Sequence, residues 1–156
     1  MVKTNVMRLL EQAKLSYTTK EYEVDEQDLS GEHVAKQVGM ASEQVFKTLV
    51  ARGDKNKIFV FCIPVNAELN LKRAAALVLE KKIEMVHVKE LLSLTGYIRG
   101  GCSPIGMKKK YPTYIDETAQ LFDTIAVSAG VRGCQIVMNP DDLKEYIDGV
   151  YADLTV

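Results

Sequence analysis

The stretch Gly100-Gly101-Cys102-Ser103-Pro104-Ile105-Gly106 puts three glycines and a proline into seven residues, a composition that fixes backbone shape and lets main-chain amides face a ligand. Thr95-Gly96-Tyr97 leads into it and Lys108-Lys109-Lys110 follows. A carbonyl- or phosphate-sized anion would therefore meet backbone donors backed by positive charge. The competing reading is a plain surface turn flanked by solvated lysines. Lys47 is the second candidate. It lies in Val45-Phe46-Lys47-Thr48-Leu49-Val50, where strand alternation puts it on the face of Val45 and Leu49. Pointing inward it would supply a cation to a substrate carbonyl or phosphate; pointing outward it would blunt an exposed strand edge.

Other chemistries fare worse. His33 and His87 fall in different segments, and neither neighbours a serine or cysteine in a recognisable motif, so no triad can be assembled. Cys102 reads as a small packing residue and Ser103 before Pro104 as turn chemistry. The run Gly101 to Lys108 imitates a phosphate-binding loop, but Met107 precedes the lysine, no Ser or Thr follows it, and Pro104 and Pro112 oppose a long helix there. Nucleotide hydrolysis is discarded. Cys62, Cys102 and Cys134 are odd in number and follow no metal-ligand spacing, which argues against a disulfide framework and a zinc site and for a reducing cytosol. No metal or cofactor is expected.

The chain of 156 residues, 47% hydrophobic and 26% charged, fits one soluble domain spanning residues 1–156. Twenty Lys+Arg against 21 Asp+Glu leave a net charge of -1, which excludes broad electrostatic capture of nucleic acid; any RNA contact must be local, and DNA is not expected. Lys72-Arg73, Lys81-Lys82 and Lys108-Lys109-Lys110 could track an RNA backbone if they converge. No signal core or membrane-length apolar run is visible, so a cytoplasmic protein without membrane contact is expected.

The elements that must position these residues follow from periodicity. Residues 5 to 14 read as a helix capped by Asn5, Tyr17 to Val24 as a strand, and Ser30 to Gly39 as a short helix. Phe46 to Ala51 and Ile58 to Ile63 form a hairpin around Gly53-Asp54-Lys55-Asn56. Asn70 caps a helix to about Glu80, Ile83 to Val86 is a strand, and Val88 to Leu94 is a helix ending near Gly96. Thr113 to Ile115, Thr124 to Ser128 and Gln135 to Met138 are short strands. Asn139-Pro140-Asp141-Asp142 opens the last helix. Strands interleaved with helices predict a mixed α+β fold around one mixed sheet.

Gln44-Val45-Phe46-Lys47-Thr48-Leu49, Thr95-Gly96-Tyr97, the Gly100 to Lys109 segment and Ser128-Ala129-Gly130-Val131-Arg132-Gly133 together resemble the YbaK/EbsC family of Cys-tRNA(Pro) deacylases, end to end. The resemblance implies a trans-editing factor that clears cysteine from mischarged tRNA(Pro), with prolyl-tRNA synthetase as partner. Its central sheet would curl towards a barrel, surrounded by helices. It makes Lys47 and Gly100 the catalytic positions. Tyr22, Thr48, Gly101, Ser103, Pro104, Ser128, Gly130, Arg132 and Gln135 become substrate-binding positions. It further implies that the substrate's own thiol attacks its ester carbonyl and leaves as a cyclic thiolactone. Lys47 would serve the 3′-adenosine phosphate or the ester oxygen, and the Gly100-Gly101 amides the carbonyl. Two positions depart from the family pattern: Gln135 stands where relatives carry an acidic residue, and Ser30 where they carry an aromatic. The related alanyl-tRNA(Pro) deacylases share a lysine and a Gly-Ser/Thr-Pro loop but carry a late histidine that this chain lacks after Phe122. A non-catalytic module that holds aminoacyl-tRNA or a nucleotide is the alternative of a different class.

Overall fold

Burial is continuous from Phe59 to Pro64, as expected of a strand covered on both faces, and the larger sheet is organised around it. The computed structural model describes residues 2–156. In chain order the elements are α1 (Asn5–Gln12), β1 (Thr18–Glu21), α2 (Gly31–Val38), β2 (Phe46–Gly53), β3 (Ile58–Pro64), α3 (Leu71–Leu77), β4 (Ile83–Met85), α4 (Val88–Thr95), β5 (Thr113–Asp116), β6 (Ile125–Ser128), β7 (Cys134–Met138), α5 (Pro140–Tyr146) and β8 (Val150–Ala152).

These strands form two sheets rather than one. The larger has the order β4-β2-β3-β5-β8 and the smaller β1-β7-β6. β2 pairs antiparallel with both β3 and β4, while β3 with β5 and β5 with β8 run parallel. Among the described residues one parallel β-bridge, Val45 with Ala126, links the sheets. The mixed α+β class is as the sequence indicates, but the expected curled sheet is open and divided. β6 stays packed against β2 but forms no ladder with it beyond that bridge, so the two sheets are not continuous.

The main core lies between the sheets, where Phe46, Val50, Val60 and Ile115 meet Ile125, Val127 and Ile136. α1 closes it with Val6, Met7 and Leu10. A second cluster, Phe59, Phe61 and Ile63 against Ala74 and Ala75 of α3, covers the other face of β3. The helix caps follow side-chain chemistry: Ser30, Asn70 and Asn139 each accept a backbone N–H of the first turn. At α1 the cap is Thr4, which accepts from Met7 N at 3.3 Å, and not Asn5. Among the described residues no helix is long and apolar enough to cross a membrane.

Several elements differ from the expectation. α3 ends at Leu77, because Leu79 turns to φ 60° and sends Glu80 inward, where its carboxylate accepts Lys55 N at 3.2 Å. The strand expected over Tyr17 to Val24 pairs only from Thr18 to Glu21. A 3-10 turn at Glu117–Leu121 and the short strand β8 carry no periodic signal of their own. β8 is held instead through Asp116, which is 1% exposed. Its Oδ1 accepts Leu154 N at 2.9 Å, and its Oδ2 accepts the Thr118 hydroxyl at 2.5 Å. Asp116→Ala therefore strands a buried amide and should cost about 1–3 kcal/mol of stability, measurable as a lower urea midpoint with an unchanged slope.

Candidate active site

β2 parts from its neighbours on one side, and the gap becomes a cavity. β4 pairs only with Ala51–Gly53, Val86 N adds one bond to Val50 O at 3.0 Å, and β6 bridges to this strand at Val45, just before β2 begins. In an antiparallel ladder the N–H and C=O of one residue point to the same side and alternate along the strand. Val50 O faces β4, so the Thr48 amide and carbonyl face that same side, where β4 has ended. The cavity there measures about 280 Å³.

Five of the expected residues meet in it: Lys47, Thr48, Gly100, Ser128 and Gln135. Lys47 Nζ donates to Val65 O at 3.4 Å, a long contact for an ammonium with three donors. Among the described residues it has no carboxylate partner, and no Asp or Glu lines the cavity. The fixed charges at the walls are therefore cationic, Lys47 with Arg99, which suits a phosphate or a developing oxyanion. Ser128 and Gln135 face one another across β6 and β7. Gln135 is 5% exposed and its Oε1 has no hydrogen-bond partner. Ser128 Oγ accepts Gly130 N at 3.1 Å.

The glycine loop forms the facing wall and is pressed backbone to backbone onto the 131–132 turn. Gly100 has φ 86°, a conformation that favours glycine, and a Cβ there would stand 3.2 Å from Arg132 Nε. A Cβ on Gly101 would stand 3.2 Å from the main chain of Val131 and Arg132. Arg132 Nε in turn donates to Arg99 O at 2.8 Å. This arrangement revises the expectation for the amides. Gly101 N–H donates to Ile98 O at 3.0 Å, so of the glycine pair only Gly100 lines the cavity.

The remaining expected residues lie elsewhere. Ser103 is fully buried and accepts Ile105 N at 3.2 Å, which makes it part of the loop's internal turn. Pro104 lines a different hollow with Lys109 and Tyr146. Gly130 and Arg132 line a second cavity beside residues 2–6. Tyr22 follows β1, where its N–H donates to Gly133 O at 2.9 Å, outside the main cavity. Two members of the basic clusters are taken up in surface ion pairs, Arg73 with Asp153 at 2.9 Å and Lys110 with Asp148.

Three lining residues were missed by sequence reasoning: Cys102, His87 and Arg99. His87 is the N-cap of α4 without a side-chain cap bond, and an imidazole where Ser, Thr, Asp or Asn is usual was the available signal. The sequence reads Cys102 as a packing residue, and the structure puts it on the cavity wall. Burial pushes its thiol up to about 11, against a lowering hydrogen bond with Thr95. Cys62 behind it, beside Thr48 Oγ1 at 3.9 Å, is pushed up by burial to about 12. Neither is a thiolate near neutral pH, so neither is a ready nucleophile. No group of three potential metal ligands occurs among the described residues.

The sequence pattern of the aminoacyl-tRNA editing domain matches residues 26–146. The chain belongs to this family. Among relatives of this editing domain, the Enterococcus faecalis protein named "Putative Cys-tRNA(Pro)/Cys-tRNA(Cys) deacylase EbsC" is 48% identical over 98% of this chain and 93% of its own. The proline–tRNA ligase of Elusimicrobium minutum is 26% identical over 80% of this chain but only 22% of its own length. A crystal structure described as that of a putative trans-editing enzyme for prolyl tRNA synthetase superposes with a TM-score of 0.82 at 25% identity, covering 97% of this chain and 94% of that one. The editing-domain fold thus extends over nearly the whole chain.

The state of the cavity thiol can be checked directly. With a thiol pKa near 11, the thiolate fraction of Cys102 rises about tenfold per pH unit between pH 7 and 10. Iodoacetamide labelling at Cys102, followed by peptide mass spectrometry, should rise by the same factor. A labelling rate that levels off below pH 9 would show a lower pKa.

Proposed function

We propose that this chain is a trans-editing deacylase that removes cysteine from mischarged Cys-tRNA(Pro), using the substrate's own thiol as nucleophile. The observation that carries the reading is the composition of the cavity: a cation without a carboxylate partner, Lys47, beside Gly100, Ser128 and a buried carboxamide oxygen lacking a donor. The groups present can bind, orient and stabilise charge. The Cys102 thiol is held protonated by burial, and His87 and Cys102 come from different walls with no bond between them. A reaction that brings its own nucleophile asks for this kind of site.

In the proposed step the substrate sulfur bonds to the ester carbonyl carbon, and the bond from that carbon to the ribose oxygen breaks. The thiol proton passes to the departing ribose oxygen, leaving a cyclic thiolactone and tRNA with a free hydroxyl. Holding the thiol against its own carbonyl gives it a high effective concentration. Lys47 Nζ meets the oxyanion or the adjoining phosphate with donors not committed to Val65 O, and Gly100 borders the same carbonyl. The unpartnered Gln135 Oε1 accepts a hydrogen bond from the substrate's ammonium group. It thereby recovers a burial penalty of about 1–3 kcal/mol while the neutral amide adds no charge.

Two observations support tRNA(Pro) and its synthetase as the setting: the 48% identity to EbsC, and the match to a segment that makes up 22% of a proline–tRNA ligase. With a net charge of -1, the isolated chain has little general attraction for tRNA. Its place of action is the cytoplasm.

Lys47→Ala should lose about 3 kcal/mol of transition-state stabilisation, a fall of a hundredfold or more in kcat with folding retained. In the same assay, Cys102→Ala should act on cysteinyl-tRNA at close to the wild-type rate. Wild-type protein should turn over alanyl-tRNA far more slowly than the roughly 1–3 kcal/mol of pocket discrimination would give. Loss of activity in Cys102→Ala with its fold intact, or comparable turnover of alanyl-tRNA, would refute the substrate-thiol route. Adding prolyl-tRNA synthetase should restrict deacylation to tRNA(Pro); if the chain alone already selects that tRNA at physiological salt, the partner is unnecessary.

A further inference from the structure

α2 is seated close against the junction of the two sheets. Gly31 and Ala35 are four residues apart and share one face of the helix, and Ala35 packs there with Val45, Val65, Ala126 and Val137. At Gly31 the approach leaves no room for a side chain. A Cβ there would stand 2.3 Å from Val65 Cγ1 and 2.6 Å from Val65 Cβ, whereas carbon atoms in ordinary contact lie about 3.5–4.0 Å apart. Val65 cannot swing aside, because a β-branched side chain is stiff at χ1 and this one is 5% exposed. A methyl group at position 31 must therefore push the Val65 backbone or lift the first turn of α2, by about 1 Å.

The backbone of Gly31 gives no other reason for a glycine. It lies in the first turn of α2, directly after the Ser30 cap, and its φ is not positive, so alanine would suit the helix better. What the position requires is the close approach to Val65. Val65 is in turn the residue on which Lys47 rests. Its N–H donates to Val45 O at 2.8 Å, and its carbonyl accepts Lys47 Nζ at 3.4 Å. That bond is near the limit of its length, so a shift of about 1 Å in Val65 would end it or turn the ammonium elsewhere. Gly31, Val65 and Lys47 all line the cavity.

We propose that Gly31 is a positioning residue for Lys47: the missing side chain at the start of α2 lets Val65 hold its carbonyl against the ammonium, and so sets where the cation stands. The inference rests on the reading of the cavity as a deacylase site, in which Lys47 meets the oxyanion or the adjoining phosphate. Gly31 acts through Val65 and not on the substrate. A place on the helix far in sequence from β2 thereby governs the one cation of that strand's open end.

The test compares wild type with Gly31→Ala, alone and combined with Val65→Ala or Val65→Gly. Circular dichroism checks folding, and two readouts follow: kinetics on cysteinyl-tRNA, and trace acetylation of Lys47 by acetic anhydride, read by peptide mass spectrometry against the exposed Lys57. Gly31→Ala should fold, and its kcat should fall about ten- to a hundredfold, the scale of an ångström's misplacement, with KM little changed. Its Lys47 labelling should rise, since an amine freed from its carbonyl is open to the reagent. Recovery of both readouts should be partial with Val65→Ala, which keeps the Cβ at 2.6 Å, and fuller with Val65→Gly, which leaves only Cα at 3.7 Å. Wild-type kcat and labelling in Gly31→Ala, or no recovery with either second substitution, overturns the proposal. So does a raised KM with unchanged labelling, which would mean that the added methyl crowds the substrate, and so does an unfolded Gly31→Ala, which would make the close seat a matter of stability. Altered and recovered labelling in a protein whose wild type does not deacylate cysteinyl-tRNA would refute the proposed activity and leave the positioning standing; deacylation by wild type with labelling unchanged in Gly31→Ala would do the reverse.

Discussion

One parallel bridge, Val45 with Ala126, joins the two sheets, and the cavity depends on its being a single bridge. Had β6 continued alongside β2, the backbone groups of Thr48 would be spent in a ladder and the interior would be filled with side chains. The bridge and the packing of β6 against β2 bring Ser128 and Gln135 to the cavity that Lys47 also lines. The junction is reinforced where it is made: Val65 N donates to Val45 O at 2.8 Å, and Gln44 Nε2 to Thr124 O at 2.8 Å. A short region is thereby fixed by main-chain bonds, and no ladder continues beyond it.

The opposite wall is fixed by a different means. The loop at Gly100 and Gly101 approaches Val131 and Arg132 so closely that a Cβ at either glycine would stand 3.2 Å from them, and the Arg132 to Arg99 bond holds it there. The glycines thus serve the close contact with a second turn as well as the shape of the loop. The expectation of two amides aimed at a ligand failed on this point, because Ile98 O takes one of them. A glycine-rich loop advertises available donors in sequence, but which of them remain free is decided by the turn in which the loop closes on itself.

Periodic signals located most of the framework. The β2–β3 hairpin, the capped helices after Ser30, Asn70 and Asn139, and the buried run in β3 are all local patterns that survive tertiary packing. Lys47 and the glycine loop were legible because their residue types are unusual for a strand and for an ordinary connection. What could not be read is non-local. β8 gains its identity from parallel pairing with β5 and from Asp116, neither of which leaves a trace in three residues of sequence. His87, Arg99 and Cys102 reach the cavity only because β4 ends early and the loop folds back. Ser103, Pro104, Gly130 and Arg132 sit in the same motifs as lining residues, yet the turns they belong to send them to other faces.

An open strand edge is also a hazard, since unpaired backbone groups invite another chain to add a strand and begin aggregation. Here the open edge of β2 from Phe46 to Leu49 borders a cavity lined by Gly100 on one side and by Gly31 and Val34 of α2 on the other, with Lys47 among the lining residues. The unpaired segment is thus faced by other elements of the same chain and carries a lysine, two of the devices that keep a sheet edge from recruiting a further strand.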